Sequence, residues 1–285
     1  MLARIYEEAH RRQLTPTVMT FEPHPREYFA SVNRRPELAP TRVAGLRDKL
    51  AALARCGIEQ VVVQRFNARL AEMPAETFIE TLLVAGMNVR LLVVGEDFRF
   101  GYRRSGDIAL LRQAGRRYGF EVQTLPDVTD QQSHHISSSA IRTALTVGDL
   151  ERAQQLLGHA FHISGHVIHG RKLGRTLGFP TMNLRVVPRC AARSGIYVAQ
   201  VHGLSERPLP AVASLGVRPT IEDRGRVLLE AHVLNETMDA YGKLVRVDFL
   251  HPLRDEEKFP TLPTLIAAMT QDTQNARAYF ALHGL

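Results

Sequence analysis

The pattern of apolar runs changes near Gly158, and that switch restricts the chain to two architectures in succession. Before it, short apolar runs alternate with amphipathic stretches. Residues 17–21 read as a strand, Val43, Leu46, Leu50 and Leu53 mark one face of a helix, and 60–64 is a short buried-strand run. Pro74 opens a helix that runs through Leu83, since proline is tolerated in a first turn. A strand over 91–94, a helix over 107–118, a strand over 120–125 and helices from about Ser138 and Leu150 complete the alternation. Such alternation predicts a doubly wound, parallel α/β sheet that binds ligands at the carboxyl ends of its strands. The chain starts inside a helix-like segment, residues 2–12, where a sheet of this kind ordinarily has a strand first.

After Gly158 strand-like runs follow one another, at 162–168, 196–201, 209–213, 227–234 and 244–250, and helical periodicity returns only beyond Pro263. Short strands at regular spacing and a single late helix predict a small antiparallel β-barrel with a C-terminal helix. The expected domains are therefore 1–158 and 159–285.

The net charge of +7 and a pI near 9.8 favour anionic ligands. The basic residues are scattered as isolated pairs (Arg11-Arg12, Arg34-Arg35, Arg103-Arg104, Arg116-Arg117), and the chain has no tryptophan. A nucleic-acid surface needs a basic tract with interleaved aromatics, so no nucleic-acid partner is expected. Two cysteines far apart, Cys56 and Cys190, fit a reducing compartment. No apolar run is long enough to span a membrane, and none forms a signal core at the N-terminus, so the expected location is the cytoplasm. Oligomeric state leaves no trace in the sequence.

Residues 170–183 carry the densest chemistry. Gly170, Gly174 and Gly178 recur every four residues and leave backbone N–H groups free to approach an anion. Arg171, Lys172 and Arg175 sit among them. Thr181 and Asn183 follow, and their oxygens are hard donors of the kind a phosphate-bound Mg²⁺ accepts. An ordinary P-loop is excluded, because Pro180 would break the helix that Gly174-Arg175-Thr176 would have to open. The alternative is a glycine-rich surface hairpin with a basic tip.

The ordered run Gly-x-x-x-Gly-Arg-x-Leu-Gly-Phe-Pro-Thr-x-Asn resembles the signature of riboflavin kinases. Matches continue in order through Ser194-Gly195-Ile196-Tyr197, the segment 214–220, Glu230-Ala231-His232, Tyr241-Gly242-Lys243 and the run 249–259. Upstream, Phe21-Glu22-Pro23-His24-Pro25, the segment 95–101 and Ile136-Ser137-Ser138-Ser139-Ala140-Ile141-Arg142 resemble the adenylyltransferase half of the bacterial bifunctional riboflavin kinase/FMN adenylyltransferases. The resemblance covers essentially the whole chain.

It implies ATP, riboflavin and FMN as substrates and Mg²⁺ as cofactor. Gly170, Lys172, Gly174, Arg175 and Gly178 would cradle phosphates, Thr181 and Asn183 would hold the metal, and Glu230 would act as general base. Leu228 and Glu230 share one strand face, so the carboxylate is expected to point toward a ligand-lined interior. For the adenylyltransferase, the resemblance implies His24, Ser138, Ser139 and Arg142 around ATP and Gly95, Asp97 and Phe98 around the flavin. Family members also carry Gly-Asn-Phe-Asp-Gly-x-His-x-Gly-His, whose histidines hold the ATP phosphates. This sequence has no copy of it, so FAD formation is expected to be impaired. The competing function classes are a flavin- or nucleotide-binding module without catalysis and a basic RNA-binding protein. His159, His162, His166 and His169 have helical zinc-like spacing, but Gly165 and the β-branched neighbours favour a strand, which spreads them over two faces.

Overall fold

The computed structural model describes residues 2–126, 136–170, 177–217, 227–235 and 239–284. They pack as two compact units: Met1–Pro40 with Leu50–His135, and Thr41–Lys49 with Ile136–Leu285.

The first unit follows the predicted alternation: α1 (Leu2–Arg12), β1 (Thr17–Glu22), α2 (Pro25–Val32), α3 (Leu46–Arg55, whose start belongs to the second unit), β2 (Gln60–Arg65), α4 (Ala68–Ala71), α5 (Ala75–Phe78), β3 (Leu91–Gly95), α6 (Ile108–Tyr118) and β4 (Glu121–Leu125). The helix opened by Pro74 widens into π-helical turns over Ile79–Gly86. β1 pairs with β2 and β3 with β4, both in parallel. The described residues thus hold two separate two-stranded parallel sheets, and none of their strands joins β1 to β3. Phe78, Ile79, Leu83, Val94, Leu111 and Phe120 form the core of this unit. Asp107 caps α6 by accepting from the Leu110 N–H at 2.9 Å, and Gly119 ends the helix at φ 79°, a left-handed value that glycine adopts without strain.

In the second unit β5 (His162–Ile168), β6 (Met182–Arg185), β7 (Gly195–His202), β8 (Leu209–Val217), β9 (Val227–Val233) and β10 (Leu244–Arg254) close into an antiparallel barrel of order β10-β5-β6-β9-β8-β7. Closure removes the exposed strand edges that a small sheet would otherwise present. Ile163, Leu184, Leu215, Leu229, Ala231 and Val247 fill the interior. The same cluster takes in Ile141, Ala144 and Leu145 of α7 (Ser138–Val147) and Leu150, Ala153 and Leu156 of α8 (Leu150–Leu157). On the outer face, the C-terminal helix Leu262–His283 packs Ala276 and Phe280 against Val198 of β7 and Val212 of β8.

Residues 41–49 attach to this barrel unit at several points. The Arg42 N–H donates to the Arg189 carbonyl at 2.7 Å, and the Ala191 N–H donates to the Arg42 carbonyl at 2.9 Å. Asp48, buried to 7% exposure, accepts from the Ser164 N–H at 3.4 Å and lies 4.0 Å from the His162 ring. Burial lowers the His162 pKa, outweighing the raising effects of the Ala160 carbonyl and then of the Asp48 and Asp248 carboxylates.

Candidate active site

Strand register assembles the centre of the site. Asn183 of β6 stands directly opposite Glu230 of β9, and Ser214 of β8 flanks Glu230 on its other side. Paired residues project to the same face of a sheet, so the carboxamide, the carboxylate and the Ser214 hydroxyl share one surface. That surface is the outer one. Leu229, Ala231 and Val233 are the β9 residues that join the barrel core, so Leu228, Glu230 and His232 face outward. The expectation that Glu230 points to a ligand-lined interior is corrected here. Alternation rightly placed Leu228 and Glu230 on one face, but that face is the outer one, because the interior is filled by Leu229, Ala231 and their neighbours.

The end of β5 and the approach to β6 roof this outer face. Gly170 lies over Asn183 so closely that a Cβ on it would sit 2.6 Å from the carboxamide carbon and 2.7 Å from its oxygen. Asn183 is consequently 6% exposed, unusual for its type. On the other side the His232 ring accompanies the chain: Nδ1 lies 2.9 Å from the Pro180 carbonyl, so that nitrogen carries the proton, and the ring meets Phe179 edge-on at 5.6 Å. Gly178 turns the chain at φ 85° with open space around it, so backbone conformation rather than crowding calls for glycine. Thr181, half-buried, lies two residues before Asn183, just ahead of β6. Lys172, Gly174 and Arg175 lie outside the described residues.

The predicted adenylyltransferase residues divide between the two units. In the first, His24 caps α2: its Nδ1 accepts from the Arg26 N–H at 3.2 Å, while its own N–H donates to Glu27 at 3.1 Å. Gly95 ends β3 and begins a turn closed by the Phe98 N–H on the Gly95 carbonyl at 3.2 Å. Asp97 is exposed in that turn; Phe98 stacks on the buried Phe100 at 5.6 Å. In the second unit, Ser137 caps α7, Ser138 and Ser139 stand exposed in its first turn, and Arg142 donates through Nε to the Thr41 carbonyl at 2.6 Å.

Sequence reasoning missed two contributors. β6 is four residues long, too short to show alternation, although its start just after Pro180 was a signal. His232, two residues beyond Glu230 on one strand face, was legible as an outward neighbour but its hold on Pro180 was not. His166 and His162 do lie on one strand, where His166 is exposed beside the Gly242 carbonyl at 2.8 Å.

A closed antiparallel barrel with a paired carboxamide and carboxylate under a glycine-rich roof, following an α/β nucleotidyltransferase-like unit, defines a two-part flavin-nucleotide transferase. Comparisons with known proteins agree on both parts. A family model described as FAD synthetase matches residues 1–140, and one described as riboflavin kinase matches residues 157–280. The bifunctional riboflavin kinase/FMN adenylyltransferase of Escherichia coli (strain K12) is 43% identical over 282 residues, covering 99% of this chain and 88% of that protein. The protein of the same description from Haemophilus influenzae is 39% identical over 280 residues, with 98% and 89% covered. A crystal structure described as a macrolide-efflux protein from Streptococcus pneumoniae superposes with a TM-score of 0.74 at 28% identity, covering 97% of this chain and 88% of that one. No helix of the described residues is long and apolar enough to cross a membrane. The chain belongs to the bifunctional riboflavin kinase/FMN adenylyltransferase family: it is an enzyme of flavin cofactor biosynthesis with a riboflavin kinase domain.

Proposed function

We propose that residues 159–285 transfer the γ-phosphoryl group of ATP to the ribityl 5′-hydroxyl of riboflavin, with Glu230 as general base. The hydroxyl oxygen bonds to phosphorus as the bond from phosphorus to the β–γ bridging oxygen breaks; the hydroxyl proton passes to Glu230 and ADP leaves. Phosphoryl transfer asks the protein mainly for positioning and electrostatic stabilisation. The observation that supports this reading most directly is the facing pair Asn183–Glu230 beneath Gly170, which sets an oxygen donor and a proton acceptor side by side with a residue that carries no side chain lying against the carboxamide.

Thr181 and Asn183 are the proposed ligands of Mg²⁺. The donor set fits: hydroxyl and carboxamide oxygens are hard, Mg²⁺ takes few protein ligands, and Asn183 is held rigidly by burial. When bound, the ion would offset the negative charge of the ATP phosphates. Gly170, Lys172, Gly174, Arg175 and Gly178 are proposed to cradle those phosphates.

To residues 1–158 we assign the family's second reaction, in which FMN attacks the α-phosphorus of ATP to give FAD and pyrophosphate. His24, Ser138, Ser139 and Arg142 are assigned to the nucleotide and Gly95, Asp97 and Phe98 to the flavin. Small molecules suffice as partners, with neither nucleic acid nor membrane, and the free thiols of Cys56 and Cys190 suit the cytoplasm.

The test is a product assay of this chain with riboflavin, ATP and Mg²⁺ that resolves FMN from FAD. FMN is the expected main product, and Glu230→Gln is expected to slow its formation by about 10²–10⁴-fold. A folded chain that makes no FMN, or a Glu230→Gln variant as fast as the parent, would overturn the assignment.

A further inference from the structure

The strap that leaves β10, residues 254–259, is braced on both sides. Arg254 donates to the buried Asp272 carboxylate through Nε at 2.9 Å and Nη2 at 2.8 Å, and its guanidinium lies 5.4 Å from the Phe259 ring. Asp255 pairs with Arg193 at 2.5 Å, and Glu257 lies 3.5 Å from Arg254. Gly195 lets β7 approach the strap, since a Cβ there would come within 2.9 Å of the Arg254 carbonyl. Each charge adjoining Glu256 is thus engaged in a structural pair. Glu256 itself has no cationic partner among the described residues.

Its carboxylate rests where Gly216 has no side chain, in the space a Cβ on Gly216 would occupy. Gly216 lies two residues along β8 from Ser214, which stands opposite Glu230, so the Glu256 carboxylate sits on the same outer barrel face as Glu230. Although the residue as a whole is exposed, loss of hydration and then the neighbouring charge of Glu230 push its carboxyl above the usual range. Two carboxylates on one face, the second without a cation, form an arrangement that a ligand bearing several hydroxyl donors relieves. An ionised carboxylate only accepts hydrogen bonds, and a sugar-alcohol chain offers donors on successive carbons.

We propose that Glu256 is a substrate-positioning residue of the kinase: it accepts a hydrogen bond from the ribityl hydroxyl next to the reacting one and so presents the 5′-hydroxyl to Glu230. This rests on the reading of Glu230 as general base. It makes Glu256 the determinant of selectivity for a polyol over a singly hydroxylated chain. Gly216 is the complementary requirement, because any side chain there displaces the carboxylate.

The test uses the full chain at saturating ATP and Mg²⁺ with riboflavin varied, alongside 4′-deoxyriboflavin. Glu256→Gln keeps the shape and removes a repulsive charge, so its melting temperature should hold. Its kcat/KM for riboflavin should fall about 10- to 100-fold, chiefly through KM for riboflavin, with KM for ATP unchanged. Toward 4′-deoxyriboflavin it should match the parent. Gly216→Ala only has to swing the end of a flexible side chain aside, and it should raise KM for riboflavin in the same way. A Glu256→Gln or Gly216→Ala variant within about twofold of the parent on riboflavin, beside an inactive Glu230→Gln, overturns the role of Glu256 and leaves the base assignment standing. An active Glu230→Gln overturns the base assignment, and the role of Glu256 with it. Should Glu256→Gln fail to fold, Gly216→Ala decides alone.

Discussion

Replacing Gly170 by alanine adds one methyl group directly against the Asn183 carboxamide. The new Cβ would lie 2.6 Å from the Asn183 carboxamide carbon, whereas ordinary contact begins at 3.4 Å, so the two must separate by about 0.8 Å. Asn183 has little room to yield, being 6% exposed and held in register between Ile168 of β5 and Glu230 of β9. Overpacking of this kind costs about 1–3 kcal/mol. The larger effect is on rate, because a shift approaching 1 Å in a positioning group lowers turnover by about 100-fold, equivalent to about 2.7 kcal/mol in the barrier. The assay is initial-rate FMN formation by fluorescence-detected chromatography over a Mg²⁺ titration, with thermal unfolding followed on the same sample. A lowered kcat and a weaker Mg²⁺ response, in a protein that still melts cooperatively, is the expected result. A kcat within about threefold of the parent would refute the idea that the roof over Asn183 has to be free of side chains.

Two further perturbations probe the frame around the site. Asp272→Ala leaves the Arg254 guanidinium, only 25% exposed, without its carboxylate, and should lower barrel stability by about 2–4 kcal/mol. A denaturant midpoint equal to the parent's would show that the pair has no net effect. The Tyr197 phenol, which donates to the Arg193 carbonyl, is pushed up to about 12 by burial. The folded state therefore holds this proton more tightly than the unfolded one, whose phenol titrates at about pH 10. Its stabilising contribution is complete below that pH and is lost as the pH rises toward 12. Absorbance titration of the folded protein should show a last step near pH 12 that belongs to Tyr197, beyond the smaller upward shift that the Glu80 hydrogen bond gives Tyr118, and Tyr197→Phe should remove that last step. Seven tyrosines titrating together in the folded protein would contradict the burial argument.

The sequence announced β5 as residues 162–168 because Ile163 and Val167 alternate with polar neighbours, and the strand spans just those residues. Both architectures were legible on the same grounds. Strand order was not, because closure depends on β10 pairing with both β5 and β7, a contact between distant segments that local periodicity does not encode. The face of Glu230 was misjudged because both faces of β9 carry leucine. Leu228 and Leu229 are indistinguishable until the core shows which of them it accepts. Asn183 and Glu230 were named from a motif, while their direct opposition came only with the register. Arg142 read as an anion ligand at a helix start, and its bond to the Thr41 carbonyl, 101 residues away, had no sequence signal.

Because the barrel unit takes Thr41–Lys49 from the first half of the chain, no single cut releases the kinase. A gene fragment beginning at residue 159 would lose both the splint anchored at Arg42 and Asp48 and the six apolar residues that α7 and α8 contribute to the core. Its product would emerge with a hollow flank and a strong tendency to aggregate. A workable excision starts ahead of Ile136 and restores the splint through a new connection, as in a circular permutant.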